Sequence, residues 1–164
     1  MFEGNWKFIA AAIIACNFGS QAFAQTQGCI SLKSVPQVEQ EVVDANGKKT
    51  VQLVTATKVV PGVEVTWTVT ADNVCKQPSD KVTINNPVPA HMTFVANSAT
   101  NNPAADIAYS LDGQTYGTAD QLTVQDNGTT RKARADEYKF IRWTFKAPLA
   151  PGAQAVAHFR ALLN

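Results

Sequence analysis

The stretch Pro61-Gly62-Val63-Glu64-Val65-Thr66-Trp67-Thr68-Val69-Thr70-Ala71-Asp72-Asn73 decides the fold class of this chain. It opens on a Pro-Gly turn and then alternates between apolar and polar side chains without a break. Alternation with a period of two in Val, Thr and Trp is typical of a β-strand with one face in a core and the other in water. A helix could not bury the apolar set together, because helical neighbours recur every three or four residues.

Two segments near the C-terminus repeat this alternation, one on each side of the Pro151-Gly152 turn. In the second of them, His158 and Arg160 fall on the polar face, which we expect to lie in solvent. The apolar faces of the three strands predict a core that contains Val65, Trp67, Val69, Ile141, Trp143, Phe145 and Phe159.

Turn signals divide the rest of the chain into short segments. Asn46-Gly47 lies between valine-rich stretches and predicts a hairpin over 38–54, and Asp112-Gly113 predicts a second hairpin. The segment 25–37 is interpreted as a lead-in, and 97–106 as a loop. The pattern gives about eight or nine short strands and no amphipathic helix, which predicts an all-β antiparallel β-sandwich with Greek-key connections.

The N-terminus has the form of a secretory signal peptide. An apolar run at 8–18 precedes Ala22-Phe23-Ala24, which has the small-x-small form of a signal-peptidase site. The run is shorter than the roughly 18 residues that a spanning helix needs. We therefore expect a signal peptide at 1–24 and an exported mature chain without a transmembrane span, in the periplasm, at the cell surface or outside the cell.

The mature chain, 25–164, is expected to be a single domain that begins with the lead-in and hairpin at 25–57. One alternative concerns its attachment. Ile13-Ile14-Ala15-Cys16 loosely resembles a lipoprotein box, and acylation of Cys16 would tether the protein to a membrane.

Charge and cysteine content narrow the class of protein further. The chain has 14 Lys and Arg against 13 Asp and Glu, a formal net charge of +1, which does not suit a nucleic-acid partner. Of the three cysteines, Cys16 belongs to the predicted signal peptide. The remaining pair, Cys29 and Cys75, predicts one disulfide in an exported protein.

Residues for catalysis are sparse. Nucleophilic catalysis needs a Ser or Cys beside a positioned base and an acid, and only His91 and His158 could be that base. No Gly-x-Ser-x-Gly elbow or phosphate-binding loop is present. We therefore expect no enzymatic activity, no catalytic residue and no cofactor. His91-Met92 leaves one alternative open, a copper site in a periplasmic carrier, since imidazole and thioether suit that metal.

One basic cluster is a candidate binding surface. Arg131, Lys132 and Arg134 lie close together in sequence, and Asp136-Glu137 follows and would balance part of their charge. Such a cluster can contact an anionic surface polymer or a lipid headgroup. The alternative interpretation is an exposed hairpin end.

Four motifs occur in an order that carries a resemblance: VVPGVEVTWTVTADN (59–73), VTINNPVPAHMTFVANSAT (82–100), YSLDGQTYG (109–117) and IRWTFKAPLAPGAQAVAHFRA (141–161). This order resembles the conserved-repeat domain of bacterial and archaeal surface proteins, known as domain of unknown function eleven. The resemblance implies an immunoglobulin-like sandwich, secretion, and a role in surface layers, adhesins or envelope assemblies. The chain departs from the family in having a single copy, and in Cys75, where a small loop residue is common.

These observations together predict an exported, non-catalytic envelope or cell-surface module: a structural, adhesive or assembly subunit. Its partners are expected to be other envelope or surface proteins, further copies of itself included. Two alternatives remain open, a fimbria-like subunit that polymerises by exchanging an edge strand, and a periplasmic ligand or metal carrier.

Overall fold

The computed structural model describes residues 24–43 and 47–164. Within these ranges the chain is all-β, as predicted, with one short 3₁₀ turn at Ala135–Glu137 and no α-helix. Hence no helix in the described ranges has the length and apolarity to cross a membrane. The strands are β1 (Ala24–Gln27), β2 (Ile30–Val43), β3 (Lys49–Thr55), β4 (Glu64–Asn73), β5 (Thr83–Pro87), β6 (Met92–Phe94), β7 (Thr100–Asn102), β8 (Ala105–Ser110), β9 (Thr123–Asp126), β10 (Thr129–Lys132), β11 (Phe140–Phe145) and β12 (Gln154–Leu163).

Three predictions fall outside the described residues, wholly or in part. They are the signal peptide (apart from Ala24), the lipid attachment at Cys16, and the turn at 44–46 of the first hairpin. The two strands on either side of that turn are described and pair as predicted, with Val43 opposite Lys49 and Gln37 opposite Thr55.

The strands form two antiparallel sheets and a separate ribbon. The main sheet has the order β1-β2-β4-β12-β6, with β3 joined to β2 and β7 joined to β12. The small sheet has the order β5-β11-β8, and β9 pairs with β10 alone. The two sheets pack against each other around a common apolar core, an arrangement consistent with a β-sandwich.

Aromatic side chains join the two sheets at the centre of the core. The ring centroid of Phe159 in β12 lies 6.2 Å from that of Trp143 in β11 and 6.3 Å from that of Trp67 in β4. Of the predicted core residues, Val65, Val69, Ile141, Trp143, Phe145 and Phe159 are buried. Trp67 is only partly buried.

The partial exposure of Trp67 has a structural reason. Trp67 lies opposite Pro36 of β2, and no residue of β2 is fully buried. The small sheet therefore covers β4 and β12 and leaves β2 at the margin of the core.

Three segments differ from the prediction. The lead-in at 25–37 consists of β1 and the first half of β2, which turn at Gly28 with φ +63°. Because β2 lies at the margin of the core, its sequence needs no strict apolar alternation, and the strand was missed. The predicted loop at 97–106 contains β7, a cis Asn102-Pro103 bond and the start of β8. After Asp112 the chain returns without a second strand, through a single bridge between Tyr109 and Gly117.

The long strand β2 has two different neighbours along its length. Its residues from Ile30 to Gln37 pair with β4, and those from Gln37 to Val43 pair with β3. Residues 38–43 of β2 and the whole of β3 thus extend past the N-terminal end of β4 as a two-stranded extension. We call this extension the arm.

The predicted disulfide between Cys29 and Cys75 is present. It joins the turn before β2 to the loop after β4, next to the pair that Ile30 forms with Asn73. The Val74 N–H also donates to the Cys29 carbonyl at 2.9 Å. Covalent and hydrogen bonds thus hold the start of β2 against the end of β4.

Asn73 at the end of β4 is the main buried polar side chain of the fold, with 1% of its surface exposed. Its Nδ2 donates to the carbonyls of Gln77 and Leu149, both at 2.8 Å. Its Oδ1 accepts from the Cys75 N–H at 3.0 Å. The Leu149 carbonyl also accepts from the Ser79 N–H at 2.9 Å. One buried amide group therefore joins the loop after β4 to the bridge between Ser79 and Leu149.

We expect Asn73→Asp to destabilise the protein by about 3 kcal/mol or more, because the carbonyls of Gln77 and Leu149 lose the amide donor and face a buried carboxylate. Unfolding in urea at neutral pH measures the loss. Asn85→Asp is the matched control. Asn85 is exposed and its Oδ1 accepts from Arg142 Nε at 2.6 Å, so a carboxylate there should change stability by less than about 0.5 kcal/mol. Equal losses in the two variants would contradict the assigned role of Asn73.

The double variant Cys29→Ser/Cys75→Ser should lose about 4 kcal/mol, since the bond closes a loop with a sequence separation of 46 in the unfolded chain. Urea unfolding of wild type with and without reductant provides the comparison. Reductant should lower wild type to the level of the variant and leave the variant unchanged. Titratable Cys29 or Cys75 thiol in the folded, exported protein would show that the bond does not form.

Candidate functional site

The structure separates the two residues of the possible copper pair. Met92 is buried in the core, with 6% of its surface exposed, whereas His91 is exposed on a left-handed turn with φ +60°. In the described ranges, no group of three or more His, Cys, Asp or Glu side chains is placed to hold a metal ion. Nothing in this geometry favours the metal-carrier alternative.

His158 is half-buried on the outer face of the main sheet, where the sequence predicts a simple surface residue. Its Nδ1 lies 2.9 Å from Thr68 Oγ1, which donates to Gln37 Oε1 at 2.6 Å. The Thr68 hydroxyl has one proton, so we assign Nδ1 as the donor to its oxygen. Burial lowers the pKa of His158. The ring therefore links β12, β4 and β2 through neutral groups, and no carboxylate orients it as a base.

The basic cluster lies on the ribbon of β9 and β10 and on the 3₁₀ turn that follows it. Arg131 binds Glu137 with two hydrogen bonds, Nη1 to Oε2 at 2.8 Å and Nη2 to Oε1 at 2.7 Å. Its Nε donates to Asp126 Oδ2 at 2.8 Å. The backbone N–H of Arg134 donates to Glu137 Oε2 at 2.7 Å. Glu137 thus ties the ribbon to the turn.

The other two cations of the cluster are also paired. Lys132 Nζ lies 2.6 Å from Asp120 Oδ1, and Arg134 Nε lies 3.0 Å from Asp136 Oδ1. With Glu137 and Asp126 included, the three cations of the cluster form ion pairs with four carboxylates. The surface has no excess of positive charge, which an anionic polymer would need for strong binding.

The ion pairs shift the pKa values of several groups in this cluster. Hydrogen bonds from the Arg131 guanidinium and the Arg134 N–H lower the pKa of Glu137 to about 2. A hydrogen bond from Lys132 lowers the pKa of Asp120, and one from Arg134 lowers the pKa of Asp136. Hydrogen bonds to Glu137 and Asp126 raise the pKa of Arg131. All of these groups are therefore charged at neutral pH.

In the described ranges, the arm combines exposed apolar side chains with a strand edge that has no partner. Val43 is 61% exposed, Val51 is 64% exposed and Leu53 is 44% exposed. All three lie on one face of the arm, because Val43 pairs with Lys49, Glu41 with Val51 and Glu39 with Leu53. Lys49 Nζ forms an ion pair of 2.7 Å with Glu41 across the two strands.

A cleft of about 310 Å³ opens where β2 leaves β4 at the root of the arm. Arg160 Nη1 pairs with Glu64 Oε2 at 2.6 Å on one side of it. The cleft is lined by Val38, Glu39, Val63, Glu64, Thr66 and Arg160. Its lining lacks the convergent nucleophile, base and acid that a catalytic site requires.

Comparison with known proteins gives no match. No protein-family model, no curated protein and no solved structure is significantly similar to the chain. The resemblance to the conserved-repeat domain of surface proteins stays a prediction.

The ribbon predicts a specific acid response. The pKa of Glu137 in the folded protein, about 2, lies below the value of about 4.3 for an unfolded chain. Its contribution to stability is therefore complete above about pH 4.3 and is lost as the pH falls towards 2. Glu137→Gln should lower the urea midpoint at pH 7, and the gap to wild type should narrow as the pH approaches 2.

The same substitution at Glu39, which is exposed on the arm, is the control and should give no gap of this kind. A gap between Glu137→Gln and wild type that stays constant from pH 7 to pH 2 would contradict the assigned ion pairs.

Proposed function

We propose that the protein is an exported, non-catalytic envelope or cell-surface module, an immunoglobulin-like Greek-key sandwich that acts by contacting other proteins. The observation that carries the proposal is the arm. It extends past the N-terminal end of β4 and exposes Val43, Val51 and Leu53 on one face. Exposed apolar residues grouped beside a free strand edge are a feature of protein-interaction surfaces.

The sheet supports the arm as a fixed extension. The same strand, β2, is held along Ile30 to Gln37 by β4 and is fixed at its start by the Cys29–Cys75 bond. The arm therefore leaves the sandwich in a direction set by the main sheet. A contact surface held in this way needs less ordering on binding than a free loop would.

The chemistry of the ionisable groups supports a role without catalysis. Enzymes at neutral pH use convergent groups whose pKa values are tuned toward that pH. In the described ranges, the strongest shifts belong to the ribbon, where they keep Glu137 and Arg131 charged in an ion pair. One ring nitrogen of His158 forms a structural hydrogen bond with Thr68.

Deletion of the gene should disturb adhesion, biofilm formation or surface assembly and leave central metabolism unchanged. Cell fractionation with intact-mass analysis should find the protein outside the cytoplasm, with a chain that begins at Gln25. Retention in the cytoplasm, or a reproducible turnover by the purified protein that is lost in His91→Ala or His158→Ala, would overturn the proposal. A chain that begins at an acylated Cys16 would instead leave it exported but membrane-tethered.

A further inference from the structure

We propose that the arm joins two copies of this chain, with β3 of one copy pairing antiparallel with β3 of the second copy about a two-fold axis at Gln52. The proposal rests on the proposed function, since it treats the arm as a protein contact surface, and it adds the partner, the strand and the register. The result would be a four-stranded sheet with the order β2-β3-β3-β2 across the two copies.

The edge needed for this pairing is open in the part of the chain that the structure describes. There β3 pairs with β2 alone. An edge strand presents a row of unpaired N–H and C=O groups, and proteins usually guard such edges with charges, proline or a bulge. From Thr50 to Thr55, β3 carries neither a charge nor a proline. The edge of β3 is therefore chemically able to receive another strand.

The side chains of β3 are self-complementary in this register. Pairing Gln52 with Gln52 of the second copy places Val51 opposite Leu53 of the second copy, and the reverse. Both residues lie on the exposed face of the arm. Cross-strand apolar pairs of this kind stabilise a sheet. The Val51 and Leu53 side chains of the two copies then lie side by side on this face, which also carries Glu39, Glu41 and Lys49, and they cover part of each other's apolar surface.

The charges of β3 also tolerate the two-fold arrangement. Lys49 is the only charged residue of β3, and it would face Thr55 of the second copy. Lys49 of the second copy would lie at the opposite end of the two paired β3 strands, which we call the joint. The two Lys49 residues would then be six positions, or roughly 20 Å, apart. That distance exceeds the Debye length of about 8 Å at physiological salt. Each Lys49 is in addition neutralised by Glu41 of its own chain.

The other open edge of the arm is less suited to the same pairing. In the described ranges, residues 38–43 of β2 have no strand partner on the side toward β4, and they carry Glu39 and Glu41. A two-fold pairing centred on Gln40 would place Glu39 opposite Glu41 of the second copy. Like charges directly opposite each other destabilise a sheet. The charge pattern thus selects β3 as the joining edge.

The two-fold symmetry sets the size of the assembly. The same edge is used by both copies, so the pairing is isologous and closes after two copies. This separates the proposal from the fimbria-like alternative, in which β2 or another strand would pair with a different edge of the next copy and continue into a filament.

Charges introduced at Val51 and Leu53 provide the first test. Val51→Lys/Leu53→Lys places Lys opposite Lys at both apolar pairs, and Val51→Lys/Leu53→Glu places Lys opposite Glu. Analytical ultracentrifugation of the purified exported protein should show a dimer for wild type. The first variant should raise the dimer dissociation constant at least tenfold. The second should restore dimerisation at low salt and lose it at high salt.

Val74→Lys is the control, because Val74 is 61% exposed but lies in the loop after β4, away from the arm. It should leave the dimer unchanged. Thermal unfolding checks that each variant keeps the fold. A monomeric wild type, equal dissociation constants for the two charge variants, or species larger than a dimer would overturn the proposal.

Crosslinking tests the register itself. In the proposed pairing, the two Gln52 Cα atoms lie about 4.5–5.5 Å apart, within the range for a disulfide. Exported Gln52→Cys should therefore form a covalent dimer on oxidation. Thr55→Cys should not form a covalent dimer, since the two residues at position 55 lie six positions, or roughly 20 Å, apart along the joint. Efficient crosslinking through Thr55→Cys, or none through Gln52→Cys, would show that the register is wrong.

The outcomes also separate this proposal from the proposed function. A monomer that is exported and needed for surface assembly would overturn the two-fold joint and leave the surface role intact. A dimer that stays in the cytoplasm would support the joint and overturn the surface role.

Discussion

The antiparallel pairing of β4 with β12 sets the register of the main sheet. It places Trp67 opposite Phe159 and Val65 opposite Ala161, so that one face of both strands enters the core. A slip of one residue would turn this whole face to solvent. Asn73 holds the register at one end, since its backbone N–H donates to Ala153 and its carbonyl accepts from Gly152.

The position of the arm follows from that pairing. Because β12 occupies one side of β4, β2 takes the other, and its register begins where Ile30 meets Asn73. The pairing of β2 with β4 ends at Gln37 and Thr66, yet β2 continues to Val43. In the part of the chain that the structure describes, the residues of β2 beyond Gln37 pair with β3 alone. A strand longer than its neighbour therefore creates both the arm and its two open edges.

The sequence predicts what burial dictates and misses what tertiary contacts decide. Burial alternates along β4, β11 and β12, and six of the seven predicted core residues are buried, whereas Trp67 is partly exposed. The first half of β2 was missed because a strand at the margin of the core carries no such pattern. The basic cluster was visible as Arg131, Lys132 and Arg134, but Asp120 and Asp126 reach it only through the fold. The arm was predicted as a hairpin, and its overhang was not, because strand length relative to a neighbour is a property of the sheet.

The two edges of the arm differ in a way that solubility alone does not explain. A chain that only had to avoid aggregation would gain from charges along both strands. On the exposed face of the arm β2 carries Glu39 and Glu41, whereas β3 carries Val51 and Leu53 and a single charge at its end, Lys49. The apolar side chains on β3 cost free energy as long as they face water. The arm therefore has one edge guarded by charges, on β2, and one edge that favours pairing, on β3. That asymmetry is what a selective joint between two copies requires.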